Sequence, residues 1–275
     1  LINGLIENFE DYRGVFENAA ANGAGVPAAS VQFRAPLPRP INIDCMAVNY
    51  MESGTKKEKS PINAFLKASN SVIGPNETMV CQDVPATIYE GEAELGLVMG
   101  KRAYQVSEDD AMDHVFGYVN FIDGSARGLP PAGNVFYQMK ARETFSPLGP
   151  YIVTKDEIDD PQNLDVKLWV NGVLKQDFNT DDMAHSIKTC ISWVSHVHTM
   201  EPGDVLATGT NHRGLNPFHD GDIVELEIEG LGRLTINVQD DLKRTWERIV
   251  RSDRTDKGLE PPHAPQLTGK YAPNI

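Results

Sequence analysis

Apolar positions recur at helical spacing at the start of this chain and at strand spacing through most of the remainder. Leu5, Ile6, Phe9, Tyr12, Val15, Phe16 and Ala19 predict one helix over residues 5–22. Gly23-Ala-Gly-Val-Pro27 ends it, and APLPRP at 35–40 reads as a linker. From Ile41 onward the pattern changes to short strands. Residues 166–170 and 173–176 flank Asn171-Gly172, a strong hairpin signal, and 223–228 and 233–238 alternate apolar and polar around Glu229-Gly-Leu-Gly232. The run ELGLVM at 94–99 suits a buried strand, while 108–116, 183–198 and 240–251 have helical spacing. The pattern predicts a β-rich α+β fold: a small N-terminal subdomain at 1–40, a main domain at 41–253, and a proline-bearing tail at 254–275 that wraps the surface.

Composition narrows the function classes. The 275 residues are 40% hydrophobic and 23% charged, which is ordinary globular usage, but the formal charge is −14. A surface that acidic repels phosphate backbones, so nucleic acid is excluded as a partner, and an acidic substrate needs a local cluster of cations or a bound metal. Three dispersed cysteines without a CxxC pair argue against a disulfide framework or a structural zinc. No apolar run approaches the roughly 18 residues of a membrane span. No signal peptide is recognised at the start, which is Leu1 rather than Met, so the cytoplasm is the default expectation.

Glu90, Glu92 and Glu94 occupy every second position leading into the 94–99 strand, which puts all three on one face. Like charges stacked near a core repel one another. A divalent cation removes that repulsion; a solvated acidic face is the alternative. Asp123 is a lone acid after Val119, Phe121 and Ile122, at a glycine turn. Carboxylates alone favour a hard cation, so magnesium, manganese or calcium rather than zinc or copper.

The ordered set Glu92-Ala-Glu94-Leu…Val98-Met-Gly-Lys101, Gly117-Tyr…Asp123-Gly-Ser-Ala-Arg127, Lys140…Phe145-Ser-Pro-Leu-Gly-Pro150, Val170-Asn-Gly172…Gln176, Pro202-Gly-Asp204…Thr208-Gly-Thr210 and Gly221-Asp222 resembles the fumarylacetoacetate hydrolase family over about residues 41–240. The resemblance implies a β-roll or mixed-sheet catalytic domain, a homodimer, and an enzyme of the kind found in aromatic catabolism. It implies that Glu92, Glu94 and Asp123 hold Mg²⁺ (or Mn²⁺ or Ca²⁺), with Tyr50 and Thr210 against a small 2-oxo or 2,4-dioxo acid. The substrate would chelate the ion, which would stabilise an enolate. Lys140 and Arg127 would neutralise carboxylate and developing charge; the alternatives are a surface lysine and a purely structural pairing of Arg127 with a ligating carboxylate.

The chain departs from that family at the water-activating His-x-x-Glu pair expected after Asn49-Tyr50. Ser53 stands in place of the His and Lys56 in place of the Glu, and neither can act as an imidazole–carboxylate base. His212, in Thr210-Asn211-His212-Arg213, is a replacement base, a group that binds the substrate from the other side, or else a solvated loop histidine, and Glu52 is a further candidate base. The polar loop 52–60 reads as a mobile lid. Three readings follow in order: C–C bond hydrolysis; isomerisation of a 2-hydroxydiene-dioate or decarboxylation of a 2-oxo acid; and an inactive binding protein on the same fold. Other signals are set aside. Gly23-Ala-Gly-Val-Pro-Ala28 follows a helix and contains Pro27, unlike a dinucleotide loop, and His196 and His198, two apart on a helix, diverge.

Overall fold

The two longest apolar-rich stretches become the two longest strands, and they pair with each other. In the computed structural model, which describes residues 2–130, 136–258 and 264–272, two helices, α1 (Ile2–Glu7) and α2 (Phe9–Asn22), precede a run of strands. These are β1 (Ile43–Met46), β2 (Ala64–Lys67), β3 (Val72–Ile73), β4 (Thr78–Val80), β5 (Ile88–Met99) and β6 (Val115–Arg127). After α3 (Phe136–Lys140) come β7 (Ser146–Thr154), β8 (Asp165–Val170) and β9 (Val173–Asn179), then α4 (Ile187–Val197) and β10 (Val205–Ala207). The chain closes with β11 (Ile223–Ile228), β12 (Arg233–Gln239), β13 (Thr245–Trp246), α5 (Arg251–Asp256) and β14 (Gln266–Thr268).

A seven-stranded mixed sheet runs β2-β1-β10-β5-β6-β7-β3, a five-stranded sheet runs β4-β12-β11-β8-β9, and β13 pairs with β14. The architecture is mixed α+β and sheet-rich, the main sheet curling as a half-barrel. Both hairpins predicted from turn chemistry are present, as β8–β9 and β11–β12. Their strands alternate buried and less buried positions because one face is covered. Strand β5 is buried at all twelve positions, since both its faces are covered.

The two faces of β5 serve different cores. Leu95, Leu97 and Met99 point into the large cluster shared with the five-stranded sheet. Val98 packs on the other face with Val119, Phe121, Ile43, Val205 and, from α1, Ile6. Glu90, Glu92 and Glu94 lie on that second face by the period of the strand, beyond the apolar cluster. On the opposite face Gly91 and Gly124 sit directly across from each other and admit two aromatic rings. A Cβ on Gly91 would lie 2.6 Å from Phe218 Cε2, and one on Gly124 2.9 Å from Phe145 Cγ.

Three helical expectations require correction. Residues 5–22 form two helices, not one, because Asn8 leaves helical geometry (φ −114°, ψ 28°) while its side chain bonds Gly4 O. In 108–116 only a single 3₁₀ turn, Ala111–His114, forms, because Val115 already pairs with Met99 in the sheet. Residues 240–251 are not a helix. The Asp240 carboxylate accepts the backbone N–H and guanidinium of Arg244, closing a turn with Lys243 at φ 48°, and Trp246 enters β13. The 183–198 segment does contain a helix, which starts at Ile187 behind a Ser186 cap. Of the tail prolines, Pro261, Pro262 and Pro273 lie outside the described residues. Cys45, Cys81 and Cys190 are all buried and unpaired. Among the described residues no helix is long and apolar enough to cross a membrane.

Candidate metal centre and active site

Strand register brings the acids together. Glu92 on β5 is the direct antiparallel partner of Asp123 on β6, and Glu94 is one step further along the same face. One carboxylate oxygen from each of Glu92, Glu94 and Asp123 lies within 4.8 Å of the other two, and all three side chains are buried. Glu90, on the same face, is drawn out of this cluster by Arg127 Nε and Arg251 Nη2, each 2.9 Å from its Oε2.

Cations surround two of the three acids. Lys140, at the end of α3, donates to Glu92 Oε1 (2.7 Å) and to Asp123 Oδ2. Lys67, at the end of β2, donates to Asp123 Oδ1 and to Gly124 O (3.2 Å). Arg127 bridges Glu90 and Glu92. Burial alone would raise the Glu92 carboxyl, but Lys140 and Arg127 outweigh it and hold the group well below the ordinary carboxylate range. Burial also disfavours the Lys140 ammonium, yet Asp123 and Glu92 raise its pKa overall.

Glu94 is different. The contacts of its carboxylate include the Gly209 backbone N–H (2.8 Å to Oε2), and it takes part in none of these ion pairs. Burial, then the charges of Asp123 and Glu92, push its carboxyl well above the ordinary range. An acid kept next to two like charges, facing the same small volume, fits a site for a hard divalent cation, because such an ion removes both penalties and prefers oxygen ligands. The donor set therefore fits magnesium, manganese or calcium.

Two other expected residues line this region. The Tyr50 ring is fully buried edge-on against Phe178, centroids 5.1 Å apart, and burial followed by the Glu94 charge raises its phenol. Its hydroxyl has no hydrogen-bond partner of good geometry among the described residues. Thr210 is close by, but its hydroxyl is committed, donating to Ala93 O (2.7 Å) and accepting from Gln176 Nε2 (2.9 Å). Thr210 thus holds the 208–211 loop against β5, and its hydroxyl is only partly free for a substrate.

His212 does not stand alone. Its ring Nδ1 lies 2.6 Å from Glu52 Oε1, and its backbone N–H donates to Glu52 Oε2 (2.8 Å). Ser53 Oγ accepts from Asn211, and Lys56 donates to Tyr50 O (3.0 Å), 3.5 Å from Glu52. His196 and His198 diverge as expected; His198 Nε2 lies 2.8 Å from Asp44, away from the acids. Sequence reasoning overlooked Lys67 and Arg251. A lone lysine closing the strand Ala64–Lys67 was the available signal for the first; nothing local marks the second.

A family model described as fumarylacetoacetate (FAA) hydrolase C-terminal matches residues 42–239. A mitochondrial oxaloacetate tautomerase of Xenopus laevis is 37% identical over 220 residues, 75% of this chain and 68% of the relative. A maleylpyruvate hydrolase from Sphingobium sp. SYK-6, solved in complex with manganese (II) ion and pyruvate, superimposes with a TM-score of 0.78 at 37% identity, covering 87% of this chain and 85% of that one. A 2-hydroxyhepta-2,4-diene-1,7-dioate isomerase from Mycobacterium marinum gives a TM-score of 0.70 at 34% identity, covering 80% and 82%.

Proposed function

The chain belongs to the fumarylacetoacetate hydrolase family, and from that premise we propose that it is a divalent-metal-dependent enzyme that hydrolyses a C–C bond in a small 2,4-dioxo acid. The observation that carries this reading is Glu94, a buried carboxylate outside the ion pairs that hold its neighbours, facing Glu92 and Asp123. Glu92, Glu94 and Asp123 would hold the ion, which when bound supplies a Lewis acid for the oxygens of a chelating 2-oxo acid.

The chain's own residues supply the rest. Lys140 and Lys67 place two positive charges on Asp123, so an anionic substrate meets local cations despite the acidic surface. Arg127 fixes Glu92 from one side and Glu90 from the other, which is a positioning role. Tyr50 presents a buried hydroxyl with no well-aligned partner among the described residues, which can donate to a substrate oxygen. The Gly209 N–H orients Glu94, and Gln176 fixes the loop bearing Thr210. The pyruvate and manganese named for the maleylpyruvate hydrolase complex support a 2-oxo acid as the bound unit.

A second reading, isomerisation or tautomerisation of a 2-oxo acid, is favoured by Ser53 and Lys56 at the positions expected for a base pair, and by the names of two relatives. Product analysis separates the two. The manganese-loaded enzyme would be offered an acylpyruvate, oxaloacetate and a 2-hydroxydienoate. Two carboxylic acids from the acylpyruvate support hydrolysis; loss of enol absorbance or a shifted double bond with no cleavage overturns it in favour of the second reading.

A further inference from the structure

Glu52 and His212 are separated by 160 positions, yet they meet through two contacts on one carboxylate. With Oε2 taken by the His212 backbone N–H, Oε1 faces Nδ1 and can accept a proton carried there, which leaves Nε2 as the ring nitrogen that Glu52 does not engage. The carboxylate stays ionised. Burial raises its pKa, but the hydrogen bond from His212 and the charge of Lys56 bring it below its ordinary value. Side-chain exposures of 17% for His212 and 10% for Glu52 leave the pair shielded from bulk water without being sealed off. Three residues before His212, the Gly209 N–H donates to Glu94 Oε2 (2.8 Å), so the loop that carries the imidazole abuts the carboxylate cage.

The loop that presents Glu52 is strained. Glu52, Ser53 and Gly54 are consecutive left-handed residues (φ 57°, 55° and 76°), and the two non-glycine ones cost on the order of 1 kcal/mol each or more. The conformation persists because Asp182 and Asn211 hold it. Asp182 Oδ2 accepts the Ser53 N–H (2.9 Å) and Asn211 Nδ2 (3.0 Å), Asp182 O accepts the Met51 N–H (2.9 Å), and Asn211 Nδ2 also reaches Ser53 Oγ (3.0 Å). The outcome of this cross-bracing is a carboxylate seated on an imidazole.

We propose that His212 is the general base of this site and that Glu52 is its positioning residue, the pair being assembled from two separate loops. The inference rests on the hydrolytic reading above. Nε2 takes a proton from a water molecule as the water oxygen bonds to the substrate's distal carbonyl carbon. The C–C bond then breaks, its electron pair leaving on the 2-oxo acid fragment as an enolate. The imidazolium returns the proton to that carbon, so one water is consumed and two acids are released.

The test uses the full chain loaded with manganese, with acetylpyruvate as the 2,4-dioxo acid and oxalate as an inert chelating probe. His212→Asn is expected to lower kcat by about 10²–10⁴-fold with little change in KM, while calorimetric binding of manganese and oxalate is unchanged. Added imidazole is expected to restore part of the rate to His212→Gly. Glu52→Gln is expected to lower kcat less, to move the ¹⁵N resonances of the His212 ring away from the Nδ1–H tautomer, and to displace the pH profile of kcat, a shift that a merely structural contact would not produce. A kcat for His212→Asn within about threefold of wild type overturns the base assignment while leaving cleavage intact. Loss of oxalate binding in that variant overturns it in favour of a binding role. Wild-type enzyme that binds manganese but cleaves no 2,4-dioxo acid overturns the hydrolytic reading and the base role with it.

Discussion

Replacing Glu94 with Gln separates the metal site from the fold, because the two respond in opposite directions. The amide has nearly the same volume, and its oxygen can accept the Gly209 N–H as Glu94 Oε2 does at 2.8 Å. It also removes a buried acid whose ionised form is opposed by burial and by the charges of Asp123 and Glu92. The metal-free variant is therefore expected to be at least as stable as metal-free wild type. The loaded proteins differ. An ion at about 100 times its Kd stabilises the native state by about 2.7 kcal/mol. At roughly 2–4 °C per kcal/mol for a chain of this size, the wild-type Tm should rise by roughly 5–10 °C. If the variant binds about 100-fold more weakly, the same ion concentration supplies about 0.4 kcal/mol and a rise of roughly 1 °C. Melting curves of chelator-stripped protein with and without manganese measure both quantities. A full metal-dependent rise in Glu94→Gln, or a stripped variant melting well below stripped wild type, would refute the reasoning.

Lys140→Met removes a cation from Glu92 and Asp123 and is expected to destabilise the stripped protein by about 3–5 kcal/mol in urea titrations, as for a broken buried ion pair. The same change should tighten manganese binding by calorimetry while reducing turnover; weaker binding with unchanged turnover would remove Lys140 from the site. Gly91→Ala puts a Cβ 2.6 Å from Phe218 Cε2 and 2.8 Å from Ile122 Cγ2, for an expected cost of about 1–3 kcal/mol read as a lower urea midpoint. His219, whose Nε2 accepts the Trp246 backbone N–H at 3.0 Å, has its pKa lowered by burial and by Arg248. The unfolded state then binds more protons than the native one just below the ordinary histidine pKa of about 6.5, so stability falls as pH drops through that value. His219→Gln is expected to flatten the slope, and identical slopes in the two proteins would contradict the assignment.

What could be read from the chain alone followed from local geometry. The every-second-residue spacing of Glu90, Glu92 and Glu94 placed them on one face of β5 because a strand permits no other arrangement. Asn171-Gly172 marked the β8–β9 turn because Asn171 and Gly172 must both adopt positive φ there, and they do, at 52° and 74°. Local pattern misled where a distant partner competed. The Asp240–Arg244 pair has helical spacing, but the Asp240 side chain takes the Arg244 backbone N–H and closes a turn instead, and Val115 joins the sheet at Met99.

The site itself needed tertiary structure. That Glu92 faces Asp123 depends on register between β5 and β6, and that Lys67 reaches Asp123 depends on the β2-β1-β10-β5-β6 order of the sheet. The Glu52–His212 contact depends on Asp182 and Asn211 bracing two loops that share no periodicity at all. Spacing along a strand is set by the covalent backbone and survives in any fold. Contacts between remote loops exist only once packing has brought those loops together, so no local stretch of sequence can carry them.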